Sequence, residues 1–387
     1  MENQAVLGKE NSAGVLYLAF ELSHKKWKLG FSDGKGPQVR EVTIKSGDLE
    51  ACRQEIQKAK RRFGLEETAV VRSCYEAGRE GFWLHRALEE MGIENSVVDA
   101  SSIEVNRRQR RAKTDRMDVV KLVRQLVRYW RGEQDVWSVV RVPSPEAEDW
   151  RQPHRSLEVL KEERKQHRVR IQSLLFTQGI DVKVGPKFLE KLERLRCWNQ
   201  EPIAAQMKQR IQDEYHRLQL VEVQIREMKA KQAEQMRAEQ QNVALEKVRR
   251  LQQLMGIGLG SSWIFVMELF GWRQFQNRRE LAAAVGLTPT PYNSGDSARE
   301  QGISRSGNRR IRQLLIEIAW AWLRFQPNSK LSRWYNERFA KGGKRMRRIG
   351  IVALARRLII DLWRYVESGI VPEGALLKAS ANNSSNC

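Results

Sequence analysis

Along the first hundred residues, apolar positions recur with a period of two, then of three to four, then of two again. "LYLAFEL" (16–22), "WKLGFS" (27–32) and "QVREVTI" (38–44) are strand-length runs: the first is apolar, the second alternates and the third is β-branched. "SHKK" and "DGKGP" separate them, which predicts an antiparallel three-stranded meander. "SGDLEACRQEIQKAKRRFG" (46–64) has helical spacing, with Ser46 or Asp48 as N-cap and Gly64 just past the end. A strand over 68–77, a helix over 81–92, a short strand over 93–100 and a helix from about Thr114 complete the order βββαβαβα. On that last helix the spacing sets Met117, Val120, Val123 or Arg124, and Val127 on one side.

From residue 145 the pattern changes to long, charged helical runs. "SLEVLKEERKQHRVRIQSLLFTQG" (156–179) ends at a glycine, and a second run covers about 201–254. In the second run Ile211, Leu218 and Ile225 stand seven apart, with Val221 and Met228 in the companion register. Such spacing is a coiled-coil seam, and two such helices joined by "DVKVGPK" would pair antiparallel as a spacer or dimerising arm. Beyond 254, "LMGIGLGSSWIFVMEL" places Gly256, Gly258 and Gly260 ahead of an apolar helix, the look of a helix-hairpin-helix turn. A loop rich in Pro, Ser and Gly follows, then a helix opened by arginines. Residues 338–360 hold eight basic side chains and no acidic one on an apolar helical pattern. That reads as a basic face with an apolar back, lying along a nucleic-acid backbone. The expected domains are 1–144, a coiled-coil helical segment 145–254, a mainly helical C-terminal domain 255–375, and a disordered tail 376–387.

Charge narrows the partners. Lysine and arginine number 69 against 47 acidic residues, a net charge of +22, which favours polyanions and above all nucleic acid. No segment approaches the ~18–20 consecutive apolar residues of a bilayer span, and "MENQAVLGKENSAG" lacks a signal-peptide core. A membrane partner is therefore not expected. Cys52, Cys74, Cys197 and Cys387 match no zinc spacing, so free thiols in a reducing, cytosolic compartment are expected.

"NRRQRRAKTDRMD" (106–118) sets two aspartates, Asp115 and Asp118, among six basic side chains. On a helix the two acids share one side. Glu21 in "LAFELS" and Glu76 in "CYEAG" are further acids on otherwise apolar strands. The βββαβαβα order is that of the ribonuclease-H-like fold, where the first and fourth strands are neighbours and the last helix packs beside them. Four carboxylates meeting there need a cation, because like charges raise one another's pKa. Two Mg²⁺ (or Mn²⁺) ions would meet that need, and a metal pair clamps attacking and leaving oxygens in phosphoryl transfer. Taken singly, an acid at a strand end is an ordinary solvated residue, and Asp115 alone could be a helix cap. Arg107, Arg108, Arg110, Arg111 and Lys113 would hold nucleic acid beside them.

Several blocks, in this order, give the chain a resemblance to a known family: "LAFELSHKKWKLGF", "YEAGREGFWLHRALEEMG", "AKTDRMD", "LMGIGLG" and "GLTPTPYNSGDSAREQGISRSGNRRIRQLL". It resembles the DEDD-type insertion-sequence transposases of the one-ten family, in which a RuvC-like domain precedes a separate transposase domain. The resemblance implies an acidic tetrad at Glu21, Glu76, Asp115 and Asp118, with glutamate at the first position where the family has aspartate. It implies a nucleophilic serine at Ser294 in "PYNSGDS", with Ser297, Ser304 and Ser306 as rivals in the same segment. Arg299, Arg305, Arg309, Arg310 and Arg312 would hold the phosphate there, and Lys344, Arg345, Arg347 and Arg348 would add contacts.

It further implies donor and target DNA as substrates, a noncoding RNA guide, and a bacterial cytoplasmic, nucleoid-associated setting. A homodimer or homotetramer is implied too, whose site forms between the acidic domain of one protomer and the serine domain of another. Two other functions stay open: a metal-dependent junction nuclease that needs no serine, and a non-enzymatic nucleic-acid binder.

Overall fold

The computed structural model describes residues 14–103, 115–238, 241–294 and 297–378, with the backbone alone at 101, 115–117, 134, 291–294 and 297–301. The chain forms two compact units, Met1–Val142 and Pro143–Cys387. Its architecture is mixed α/β, with an N-terminal sheet and a mostly helical C-terminal region.

In the first unit, β1 (Val15–Leu22), β2 (Lys26–Ser32) and β3 (Arg40–Lys45) lead to α1 (Leu49–Arg62), β4 (Val70–Glu76), α2 (Trp83–Glu90), β5 (Glu94–Val98) and α3 (Asp115–Trp130). The five strands lie in the order β3-β2-β1-β4-β5. β1 pairs antiparallel with β2 and parallel with β4. Of the two candidate caps for α1, Asp48 is the one used: its carboxylate accepts from the Ala51 N–H at 2.9 Å.

The continuous apolar run of β1 follows from burial on both faces. Leu16, Leu18 and Phe20 join Trp27, Leu29, Phe31, Cys52, Ile56, Leu84 and Leu88 in one core. Tyr17 and Ala19 face the other way, into a core with Cys74, Val119, Leu122, Val123, Leu126 and Val127. The side of α3 that packs is therefore 119/122/123/126/127, while the expected Arg124 points outward. The leucines and valines at i, i+3, i+4, i+7 and i+8 make the wider stripe. α3 comes close to the sheet at Gly30, where an added Cβ would stand 2.9 Å from Val123 and 3.1 Å from Val119.

In the second unit, α4 (Pro145–Asp149) and α5 (Gln152–Phe176) are followed by α6 (Phe188–Leu192) and α7 (Ala205–Ala238). α5 and α7 run antiparallel: Leu157 meets Val221 and Ile225, while Ile171 and Leu175 share a core with Ile211, Tyr215 and Leu218. The heptad positions are thus the buried stripe of α7. Its partner contributes polar links as well, His167 Nδ1 lying 2.8 Å from the Glu214 carboxylate and Arg168 2.6 Å from Glu222.

The single run expected to 254 divides in two. α7 ends at Ala238, and Asn242 caps a new helix, α8 (Val243–Gln252), by accepting from Ala244 N and Leu245 N. Then come α9 (Leu259–Phe265), a π-helical turn (Val266–Phe270), α10 (Arg278–Ala284), β6 (Pro289–Ser294), β7 (Ser297–Ile303), α11 (Arg309–Phe325), α12 (Lys330–Tyr335), a second π-helical turn (Asn336–Ala340) and α13 (Lys344–Ser368). Trp263, Phe265, Phe270, Leu315, Trp322, Leu358 and Leu362 anchor their common core.

The stretch expected to be a Pro/Ser/Gly loop contains the β6–β7 hairpin instead. Pro289 and Pro291 are tolerated there because each strand of a two-stranded ribbon has an unpaired edge. No helix among the described residues is long and apolar enough to cross a membrane.

Candidate functional sites

Regular elements set the predicted acidic positions. The last paired couple of the parallel β1–β4 ladder is Phe20↔Tyr75, so Glu21 and Glu76 stand one step further on, at the carboxyl ends of adjacent strands. Strand alternation puts Glu21 on the same face as Tyr17 and Ala19, and Glu76 on that of Cys74, which is the face α3 covers. α3 runs opposite to β1. Val127 and Tyr17 both lie against Gly34, while Val119 and Val123 lie over Gly30, the partner of Ala19. The first turn of α3, with Asp115 and Asp118, is therefore directed toward the carboxyl end of β1.

Glu21 and Asp118 are half-buried and Glu76 is exposed. The Cys74 thiol is pushed far up, first by complete burial and then by the nearby Glu76 carboxylate. Among the described residues, no group of three or more His, Cys, Asp or Glu could hold a metal ion. The predicted Arg107, Arg108, Arg110, Arg111 and Lys113 lie outside the described residues, as does the side chain of Asp115.

The hairpin places Ser294 as the last residue of β6, paired with Ser297 at the start of β7, and pairs Arg299 with Tyr292. Behind it, the segment "ISRSGN" packs against the end of α10. Ser304 N donates to Thr288 O at 2.9 Å, Arg305 N to Gly286 O at 3.2 Å and Asn308 N to Ala284 O at 2.9 Å. Gly286 and Gly307 make this approach achievable. Both have positive φ, and an added Cβ would stand 1.9 Å from the Ser306 carbonyl and 2.3 Å from that of Ala284, respectively. Arg305 is held at φ 58, a left-handed conformation uncommon outside glycine. Ser306 Oγ donates to Ser304 Oγ at 3.1 Å.

The arginines of this region divide. Arg305 and Arg309 are exposed. Arg312 donates to the carbonyls of Val285 (3.2 Å) and Ser306 (3.3 Å). Its pKa is lowered by burial and then by the neighbouring charges of Arg305 and Arg309; three cations this close favour an anion between them. Arg310 instead turns inward, bonding Glu158 and approaching Glu268 at 3.6 Å.

Glu268 is a site that the sequence conceals. It sits on the π-helical turn, 3% exposed. Around it are His154 Nε2 at 2.9 Å, Arg155 Nε at 2.9 Å and Nη2 at 3.1 Å, and Asn308 Nδ2 at 3.2 Å. Burial pushes this carboxyl up, but hydrogen bonds from His154 and Arg155, with their charges, outweigh it and hold the pKa well below the usual range. Asn308 also caps α11, its Oδ1 accepting from Ile311 N at 3.1 Å. The buried carboxylate thereby links α5, the π-helical turn and the start of α11. The one local signal was an acid inside "WIFVMELF"; its partners lie 40 to 114 residues away, beyond any local periodicity.

The basic run at the start of α13 is placed differently. Lys344, Arg345, Met346, Arg347, Arg348 and Ile349 are all exposed, and burial begins at Gly350.

Comparison with known proteins bears on what these sites serve. The family model "Transposase IS116/IS110/IS902 family" matches residues 248–336, the span that holds Glu268, the hairpin and α11. A Sinorhizobium fredii protein named "Putative transposase y4rJ" is 38% identical over 381 residues, covering 94% of this chain and 95% of its own. The transposase for insertion sequence element IS1111A of Coxiella burnetii is 34% identical over 31% of this chain and 33% of its own. The transposase for insertion sequence element IS1328 of Yersinia enterocolitica is 27% identical over 33% and 37%. With nearly its whole length matched in this way, the chain belongs to the IS116/IS110 family of insertion-sequence transposases.

Proposed function

We propose that this transposase cuts and rejoins DNA through a serine ester at Ser294, assisted by a carboxylate site on a RuvC-like N-terminal unit. The observation that supports it most is that Glu21 and Glu76 stand at the carboxyl ends of adjacent strands, on the face that α3 covers and toward which its first turn is directed. Regular elements, not loops, set those positions. Glu21, Glu76, Asp115 and Asp118 would hold Mg²⁺ or Mn²⁺; the donor set is all oxygen, as such hard cations require. The three described acids, Glu21, Glu76 and Asp118, do not by themselves form a group able to hold a metal ion; in the proposed site they would close around the cation together with Asp115. Bound there, the cation supplies Lewis-acid stabilisation of charge on the phosphodiester.

In the cleavage step the Ser294 hydroxyl attacks phosphorus. A P–O bond to serine forms as the bond to the departing strand's oxygen breaks. The serine proton leaves to a carboxylate or water, and the departing oxygen takes up a proton. A hydroxyl of the joining strand reverses the same exchange, so phosphodiester energy is conserved. Arg299, Arg305, Arg309 and Arg312 would neutralise the phosphate. The α5–α7 pair would act as a coiled-coil dimerising arm, bringing the carboxylates of one protomer to the hairpin of another in a dimer or tetramer. The glycine turn 254–260 would act as a helix-hairpin-helix element, and a noncoding RNA would guide donor and target DNA.

The test is a denaturing gel of labelled target DNA with Mg²⁺ and protein co-expressed with its flanking noncoding DNA. Wild type should give a protein–DNA adduct that is absent in Ser294→Ala and in Asp118→Ala. Metal-dependent nicks with no adduct, unchanged in Ser294→Ala, would replace the serine mechanism by hydrolysis.

A further inference from the structure

The start of α13 contradicts the docking its sequence implies. A basic face over an apolar back would lay the helix along a phosphate backbone, yet no back exists over 344–349, where every side chain is exposed. Met346 and Ile349, the apolar members, are each 47% exposed.

The body of the protein buries the helix's side chains from Gly350 onward. A Cβ there would stand 2.5 Å from the Phe339 ring and 2.8 Å from Tyr335, and the Tyr335 hydroxyl donates to the Arg347 carbonyl at 3.3 Å. The projecting part, Lys344–Ile349, rises roughly 9 Å at about 1.5 Å per residue. It carries Lys344, Arg345, Arg347 and Arg348, with Lys341 in the preceding turn, and no acidic residue occurs from Arg338 to Ile360. The run also lies beyond the family match at 248–336.

We infer that the projecting turns of α13 enter the major groove of duplex DNA. The groove is about 12 Å wide and about 8.5 Å deep, and a helix with its side chains is about 10–12 Å across. The width fits. The lysines and arginines reach the flanking phosphates and guanine edges, while Met346 and Ile349 meet thymine methyl groups. A-form RNA is the poorer match for this element, because its major groove is too deep and narrow for side chains to read. This rests on duplex DNA being the substrate proposed above, but on neither the serine nor the metal.

Dimethyl-sulfate footprinting of guanine N7, which lies in the major groove, tests it with the full chain co-expressed with its noncoding DNA. Wild type should protect N7 on target duplex. The Lys344→Ala/Arg345→Ala/Arg347→Ala/Arg348→Ala variant should lose that protection and bind at least roughly tenfold more weakly. Its log–log salt slope should also flatten by about 0.9 for every phosphate it no longer neutralises. Replacing thymine by deoxyuracil in the contacted steps should weaken wild type, but not Met346→Ala/Ile349→Ala. The inference is overturned by absent N7 protection in wild type, by protection unchanged in the charge variant, or by an equal loss of affinity for duplex RNA. Asp118→Ala keeps the footprint if only the chemistry fails, so the two readings fail separately.

Discussion

Two arginine-rich stretches that look alike in sequence are used in opposite ways. At 305–312, Arg310 is bonded to Glu158 and faces the buried Glu268, and Arg312 is bonded to two backbone carbonyls. Half of that cluster's positive charge is engaged in holding the start of α11 against α5 and α10. At 341–348 the cations stand on a helix end whose side chains the other described residues leave exposed. The difference teaches that local charge density does not say whether a cation is scaffold or reach. What decides is whether the fold brings a carboxylate or an orphan carbonyl to meet it.

The comparison is sharpened most by removing the buried acid. Glu268→Ala leaves His154 and Arg155 without their counter-charge, and chemical denaturation should show a loss of about 3–5 kcal/mol. A loss under ~1 kcal/mol would mean the network is not structural, and the contrast would collapse. The pH dependence has a fixed sign. The folded pKa of Glu268 is depressed, so the unfolded chain binds more protons below its own carboxylate pKa of about 4.3. The contribution is full above that pH and declines as pH falls further toward the folded value. Stability measured from pH 7 down to pH 3 should show this decline in wild type and a smaller one in Glu268→Gln.

Arg310→Met should come next, losing roughly 1–2 kcal/mol, since its half-exposed pairing with Glu158 is worth less than a buried one. The smallest stability effect belongs to the other stretch. Arg345→Ala should leave the free energy of unfolding within about 0.5 kcal/mol of wild type while still lowering DNA affinity. A clear destabilisation would show that the α13 end has structural partners and would erase the distinction.

Much of the first unit was legible because its strands are strand-length apolar, alternating or β-branched runs set off by turn residues, and its first helix has a capping acid in place. The order βββαβαβα, the Asp48 cap and Gly64 at φ +65 all follow from residues within a few positions of one another. The side of α3 that packs was harder. Met117, Val120 and Val123 suit a helical stripe as well as Val119, Leu122 and Leu126 do, and only the sheet beneath, with its gap at Gly30, chooses between them. Prolines and glycines at 289–302 suggested a loop, because a ribbon with two free edges breaks the usual bias against proline in strands.

The candidate sites divide along the same line. Sequence alone determined which residues are candidates for chemistry: the acids Glu21, Glu76, Asp115 and Asp118, the "SG" serine, and the basic clusters, each identifiable by type against its neighbours. It also determined that Gly286 and Gly307 stand in one block with the arginines. Tertiary structure decided which of those residues meet. β1 lies beside β4 because the strands cross over in the order 3-2-1-4-5, and that pairing, not proximity in the chain, puts Glu21 next to Glu76. It also decided that Glu268 would be the counter-ion of groups more than a hundred residues away. Desolvation and pairing energies depend on what surrounds a charge in space, and a linear pattern records only what surrounds it along the chain.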